Sequence, residues 1–146
     1  MAHEELRLGN QLCFRFYTVS RLITQAYREH LEPLGLTYPQ YLVMLVLWEQ
    51  DNQPVNDIAK RLVLNTNTVT PLLKRMEEED LVSRRRSPED ERKVIVSLTE
   101  KGRNLEKTAR KIPQKMAQAY AHPEIDEAKM LNLYQTLDTL IGSLQA

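Results

Sequence analysis

In "TNTVTPLLKRMEEEDLVSRRRSPEDERKVIVSLT", residues 66–99, the apolar period changes from helical to alternating after Asp80. A helix repeats its faces every 3.6 residues and a strand every two, so the chain must change element at that point. "LVSRRR" and "KVIVSL" read as two short strands with "SPEDE" as the turn between them, Val94 and Val96 facing inward. Ahead of the switch, "DIAKRLVL" reads as a short helix with Ile58, Ala59 and Leu62 inward, and Asn65 or Thr66 caps a second helix from Thr66 to about Asp80.

Two short helices across a tight turn, followed by a hairpin, make a winged helix-turn-helix, although the joint lacks the glycine often found there. The flanks are helical. A first helix is expected from Glu4 to about His30, with Leu12, Phe16, Val19, Ile23 and Ala26 on one stripe and "EPLGL" ending it. "TYPQ" reads as a capping box between Thr37 and Gln40, and the run "YLVMLVLW" is apolar on every face, which suits a helix buried at the centre. "DNQPVN" reads as a turn. Thr99 caps a long basic helix to about Ala121 that Pro113 should bend, and "HPEID" restarts the chain. The closing helix carries Met130, Leu133, Tyr134, Leu137, Leu140, Ile141 and Leu144 on one stripe. The expected fold class is mainly α with a small β-hairpin wing, a single domain over residues 1–146.

Twenty basic residues balance twenty acidic ones, so a globally basic nucleic-acid binder is excluded. The charge is nevertheless uneven, since Leu81 to Pro88 holds three arginines and no acid, and a basic patch can bind phosphate locally. Thr66, Asn67, Thr68 and Thr70 fall in the first turns of the second short helix, where a recognition helix presents side chains to bases and its N-terminus favours phosphate. Lys74 and Arg75, one turn on, would meet the phosphate backbone, while the acids Glu77 to Asp80 lie at the far end. Arg84, Arg85 and Arg86 then form a basic wing strand. Asp90 can orient Arg92 at the wing tip, where an arginine can enter a narrow minor groove. Read alone, the Thr/Asn cluster is also a helix cap and the arginines a charge-protected edge strand; their order along the chain favours DNA.

No apolar run approaches the roughly 20 residues that span a bilayer, and no signal-peptide core is visible, so no membrane partner is expected. A single cysteine excludes an intrachain disulfide and suits a reducing cytoplasm. His3, His30 and His122 are isolated, and no Cys-x-x-Cys, phosphate loop or dinucleotide fingerprint is present, so neither a metal nor a cofactor is expected. On a helix, Cys13, Tyr17, Ser20, Thr24 and Tyr27 share one face that is more polar than the neighbouring apolar stripe. Cys13 there is either a small interface hydrophobe or a working thiol.

"LVSRRRSPEDERKVIVSLTEKG", with its D-x-R followed by L-T-x-x-G, closely resembles the wing of the MarR family of bacterial transcription regulators, and the resemblance runs over the whole chain. "NQLCFRFYTVSR", "LGLTYPQYLVMLVLWE" and "TNTVTPLLKRMEEEDLV" resemble its organic-hydroperoxide-sensing, OhrR-like branch. The resemblance implies that residues 4–36 and 99–146 supply helices interlocking into an obligate homodimer, and that residues 37–98 read double-stranded DNA at a pseudo-palindromic operator. It implies that Cys13 is the peroxide sensor, that Tyr27 and Tyr38 hydrogen-bond its sulfur (Tyr38 from the partner subunit), and that Tyr17 lies near the pocket. Phe16, Leu36 and Met44 are expected to line that pocket. No second cysteine is present, so an oxidised Cys13 needs an external small thiol. The function implied is a repressor released from its operator when organic hydroperoxide oxidises Cys13. The alternatives are a repressor answering a small aromatic acid, with Cys13 structural, and, least supported, a thiol peroxidase. An enzyme is not expected, because catalysis does not need an arginine wing.

Overall fold

In the computed structural model, which describes residues 3–145, the first helix starts later than the periodicity suggests. Glu4–Leu6 and Leu8–Asn10 are separate 3₁₀ turns, and α1 runs Leu12–Leu31. Asn10 Nδ2 donates to the Glu4 carbonyl at 2.8 Å, and Gln11 Nε2 donates to the Glu5 and Arg7 carbonyls at 2.6 and 3.0 Å. Side-chain amides thus take carbonyls that a continuous helix would have used. The consequence is that Cys13 lies in the first turn of α1 rather than in mid-helix.

The chain folds as two compact units, one ending at Ile112 and one beginning at Pro113. In the first, α1 stops at the buried Leu31, a 3₁₀ turn Glu32–Leu34 follows, and Gly35 takes the left-handed conformation at φ 69°. Helix α2, Tyr38–Glu49, opens on the predicted capping box: Gln40 N–H donates to Thr37 Oγ1 at 3.3 Å and Thr37 N–H to Gln40 Oε1 at 3.0 Å. Tyr41, Val43, Met44, Val46 and Leu47 are buried, so α2 is the central helix its composition predicts. Leu36 and Met44 belong to this core while Phe16 is exposed, so the structure does not gather these three around one pocket.

"DNQPVN" is more than a turn. Gln53–Pro54 forms a short edge strand, β1, giving a sheet of order β1-β3-β2, where β2 is Val82–Arg86 and β3 is Val94–Leu98. All pairing is antiparallel, with Gln53 opposite Val96 and Arg84 also opposite Val96 on the other side. Asp51 Oδ1 accepts from Leu98 N–H at 2.8 Å, and Asn52 Oδ1 from Ser97 Oγ at 2.6 Å. The buried Gln53 turns its Nε2 back to the Val46 and Gln50 carbonyls, at 3.2 and 2.5 Å, satisfying the C-terminus of α2. Along β3, Val96 and Leu98 are buried, whereas Val94 is only half-buried.

Between β1 and β2 lie α3, Val55–Leu62, and α4, Thr66–Glu78. Ile58 and Ala59 are buried and Leu62 half-buried. Where the sequence offers no glycine, Val63 itself takes φ 56° to turn the chain. A β-branched residue pays a strain cost of about 1–3 kcal/mol in that region. The basic helix also differs from expectation: α5 spans Glu100–Ala109 and α6 starts at Ile112, putting Pro113 in a first turn, where its missing N–H is not needed. Pro113 therefore begins a helix instead of bending one. In the second unit α7, Glu127–Gln145, leaves Leu131, Leu133, Tyr134, Ile141 and Leu144 exposed.

One glycine fixes the fit of α5. A Cβ on Gly102 would collide with the backbone carbonyl of Leu81, and Trp48 Nε1 donates to the Gly102 carbonyl at 3.0 Å. In an open helix Gly→Ala gains about 1 kcal/mol from backbone entropy. Overpacking against a fixed carbonyl costs about 1–3 kcal/mol, so Gly102→Ala is expected to lower the urea midpoint. A raised midpoint would show that α5 can move away.

Tyr41 packs against Tyr27, Tyr38 and Trp48, with ring centroids 5.6, 6.3 and 6.4 Å away. Burial first, then Tyr27 and Tyr38, push its hydroxyl from the ordinary value of 10.0 up to about 12. A folded value above the unfolded one contributes stability that is complete below the unfolded value and is lost as pH rises through the folded one. Urea midpoints of the wild type are therefore expected to fall more steeply than those of Tyr41→Phe between about pH 10 and pH 12.

Candidate functional site

Helix α4 presents the predicted reader. Asn65 caps it, its Oδ1 accepting from Asn67 N–H at 2.9 Å, so of the two candidate caps Asn65 serves. Val69, Leu73 and Met76 bury one face. Thr66 and Thr70, one turn apart, line a groove of ≈ 280 Å³ together with Asn56 and Asp57 of α3, Arg84, Arg92 and Lys93. Asn67, Thr68, Lys74 and Arg75 are exposed on the same helix outside that groove. Asn56 and Lys93 line the groove without having been expected there: Asn56 stands between Val55 and Asp57 with no basic residue beside it, while the place of Lys93 next to Arg92 was a usable signal.

The three wing arginines are not equivalent. Arg84 donates its backbone N–H to Glu77 Oε2 at 2.9 Å, and its Nη2 to Oε1 at 3.2 Å. Glu77, expected to stand clear of the DNA-facing parts, thus reaches from α4 to the wing, and Arg84 is held by it. Strand alternation explains this, since Arg84 and Arg85 point to opposite faces. Arg86 Nη1 donates to the Glu91 carbonyl at 3.0 Å and braces the turn. Arg85 is exposed and has no partner among the described residues.

At the wing tip Arg92 forms the predicted fork on Asp90, Nε to Oδ1 at 3.1 Å and Nη2 to Oδ2 at 3.4 Å, while 91% of its side chain stays exposed. The Arg92 side chain, then its backbone N–H, holds the Asp90 carboxyl below its usual range. With the folded value depressed, the fork is complete above the ordinary carboxylate range and is lost only as pH falls through the lower folded value.

Cys13 is a free, exposed thiol. Tyr17, one turn on, is 69% exposed. Tyr27 follows Cys13 by fourteen residues on α1, which at 1.5 Å per residue is about 21 Å along the axis. Tyr27 and Cys13 of one chain therefore share a face but cannot hydrogen-bond, against the expectation that only Tyr38 would come from elsewhere. Tyr27 packs against Tyr38 instead, centroids 4.9 Å apart and rings tilted by 50°. Burial and then Tyr27 raise the Tyr38 hydroxyl, keeping it a proton donor. Beside Tyr38 opens a cleft of ≈ 340 Å³ lined by Thr24, Arg28, Leu31, Glu32, Leu36 and Thr37. Among the described residues no cluster of His, Cys, Asp and Glu could hold a metal, and no helix is long and apolar enough to cross a membrane.

A sequence-family profile described as transcriptional regulator SarA/Rot matches residues 25–108. The organic hydroperoxide resistance transcriptional regulator of Bacillus subtilis (strain 168) is 42% identical over 139 residues, 94% of each chain. The structure of reduced AbfR bound to DNA superposes with a TM-score of 0.74 at 40% identity, covering 95% of this chain and 98% of that one. The crystal structure of AbfR of Staphylococcus epidermidis gives 0.70 at 44% identity, covering 95% and 97%. On these matches the chain belongs to the MarR and SarA/Rot-type family of winged-helix transcription regulators, in its organic-hydroperoxide-regulator (OhrR-like) branch, and is a DNA-binding regulator rather than an enzyme.

Proposed function

We propose that the protein is a homodimeric cytoplasmic repressor that leaves its operator when an organic hydroperoxide oxidises Cys13. The helices within 4–36 and 99–146 dimerise, and residues 37–98 read DNA. The carrying observation is the pairing of an exposed Cys13 with a tyrosine cluster about 21 Å further along its own helix. Only a second copy can bring Tyr27 and Tyr38 to that sulfur. Exposed apolar side chains support such a dimer: Leu12, Phe16, Val19 and Leu22 on α1, and Leu131, Leu133, Tyr134, Ile141 and Leu144 on α7. The Bacillus subtilis relative, named as an organic hydroperoxide resistance regulator, supports the oxidant, and the DNA complex of reduced AbfR supports a reduced, DNA-bound state.

Thr66, Asn67, Thr68 and Thr70 enter the major groove, Lys74, Arg75 and Arg85 meet phosphates, and Arg92, aimed by Asp90, enters the minor groove. The thiolate of Cys13 attacks the terminal peroxide oxygen; the O–O bond breaks, the alkoxide takes a proton and leaves as alcohol, and the sulfur becomes sulfenic acid. A small thiol then forms an S–S bond to that sulfur while the S–O bond breaks and water leaves. Because Cys13 sits in the first turn of α1, the added group disturbs the helix end and the tyrosines facing it. A second reading is favoured by the cleft beside Tyr38, where Arg28 could hold the carboxylate of a small aromatic acid and Cys13 would be structural.

A gel shift on DNA upstream of the protein's own gene separates the two. Stoichiometric cumene hydroperoxide plus a small thiol is expected to release the wild type and leave Cys13→Ser bound. Retention of both would end the peroxide reading and send aromatic acids to the same assay. For the wing, Arg85→Ala is expected to weaken binding and to lower the slope of log affinity against log salt by about one. An unchanged slope would place Arg85 away from the DNA backbone.

A further inference from the structure

Gln40 does more than close the capping box of α2. Its side chain is 3% exposed, its Oε1 accepts from Thr37 N–H at 3.0 Å, and its Nε2 donates to Glu79 Oε2 at 3.1 Å. The amide orientation is unambiguous, because a backbone N–H only donates and a carboxylate only accepts. Glu79 is the C-cap residue of α4, and its carbonyl accepts from Lys101 Nζ at 2.8 Å. Tyr38, packed against Tyr27, occupies the first position of the helix whose third position is Gln40. One buried side chain therefore joins the turn that carries Tyr38 to the end of the recognition helix.

We infer that the Gln40–Glu79 hydrogen bond is the tie by which α2 sets the position of α4, which makes Gln40 a positioning residue for DNA binding. The packing of Val69, Leu73 and Met76 drives association but is non-directional, so it tolerates small slides. A charge-assisted hydrogen bond fixes register and is about twice as strong as a neutral one. Resting on the peroxide reading above, the same tie carries a disturbance at Tyr38 to the DNA-reading helix. Coupling of this kind requires both ends to bias one element, and α4 is that element.

Gln40→Glu keeps an acceptor for Thr37 N–H, since Glu serves a capping box as well as Gln, but sets two carboxylates face to face. DNA affinity of the reduced, folded protein is expected to fall about tenfold and its response to peroxide to shrink. The double variant Gln40→Glu/Glu79→Gln restores the bond with donor and acceptor exchanged, and is expected to return affinity to within about threefold of wild type. Glu79→Ala, at an exposed residue, gives a loss in the same direction without a buried charge, should Gln40→Glu unfold on melting. Failure of the double variant to recover affinity, or unchanged affinity in both single variants, overturns the tie. Loss and rescue in a wild-type background that peroxide does not release would support the tie while ending the peroxide switch.

Discussion

The first unit depends on burying a helix that has no polar side. Val43 and Met44 of α2 are fully buried, and an all-apolar helix can exist in water only if other elements enclose it. Its ends cannot be apolar, because four N–H groups and four carbonyls are left over at each terminus pair. The neighbours that cover α2 therefore also have to finish it. Thr37 and Gln40 close its start, Gln53 closes its end, and Trp48 fastens it to α5 through the Gly102 carbonyl. One of these capping side chains, Gln40, also reaches Glu79 at the end of α4.

Local chemistry carried the legible part of the fold. The change of period after Asp80, the Thr37–Gln40 box and the Asp90–Arg92 fork each involve residues a few positions apart, so the sequence shows both partners together. The parts that were not legible involve partners far apart in sequence. Gln53–Pro54 is a strand only because β3 lies beside it. Glu77 and Arg84 meet because α4 ends under the first strand of the wing. Periodicity misplaces the start of α1 because the competition comes from the side chains of Asn10 and Gln11, which it does not register. Helical spacing identified the face shared by Cys13 and Tyr27, but a shared face says nothing about height along the axis.

If Cys13 senses through Tyr27 and Tyr38 as proposed, that height takes sensing out of any single subunit. A thiol and the phenols expected to serve it stand on one helix at a distance no side chain spans, while the apolar residues beside the thiol stay uncovered. An exposed stripe of this kind on a protein of ordinary composition marks a surface meant to be covered. Oligomerisation and sensing would then be one event in structural terms, because the contact that buries the stripe also completes the thiol's surroundings.

Charge neutrality has a parallel consequence for DNA. Non-specific affinity grows with the number of phosphates a protein neutralises. This chain has no net charge, and it engages Arg84 with Glu77 and Arg92 with Asp90. Each pairing reduces general attraction to phosphate and fixes a guanidinium in one direction. If α4 and the wing read DNA as proposed, a reader built this way would bind well only where both fit the duplex at once, and its affinity would be sensitive to small displacements between them. The Arg84–Glu77 bridge ties α4 to the first wing strand, and the Gln40–Glu79 hydrogen bond ties its end to α2. Were the protein released by oxidation of Cys13 as proposed, it would need this sensitivity, since a strongly basic surface would hold on through any shift a single oxidised sulfur could cause.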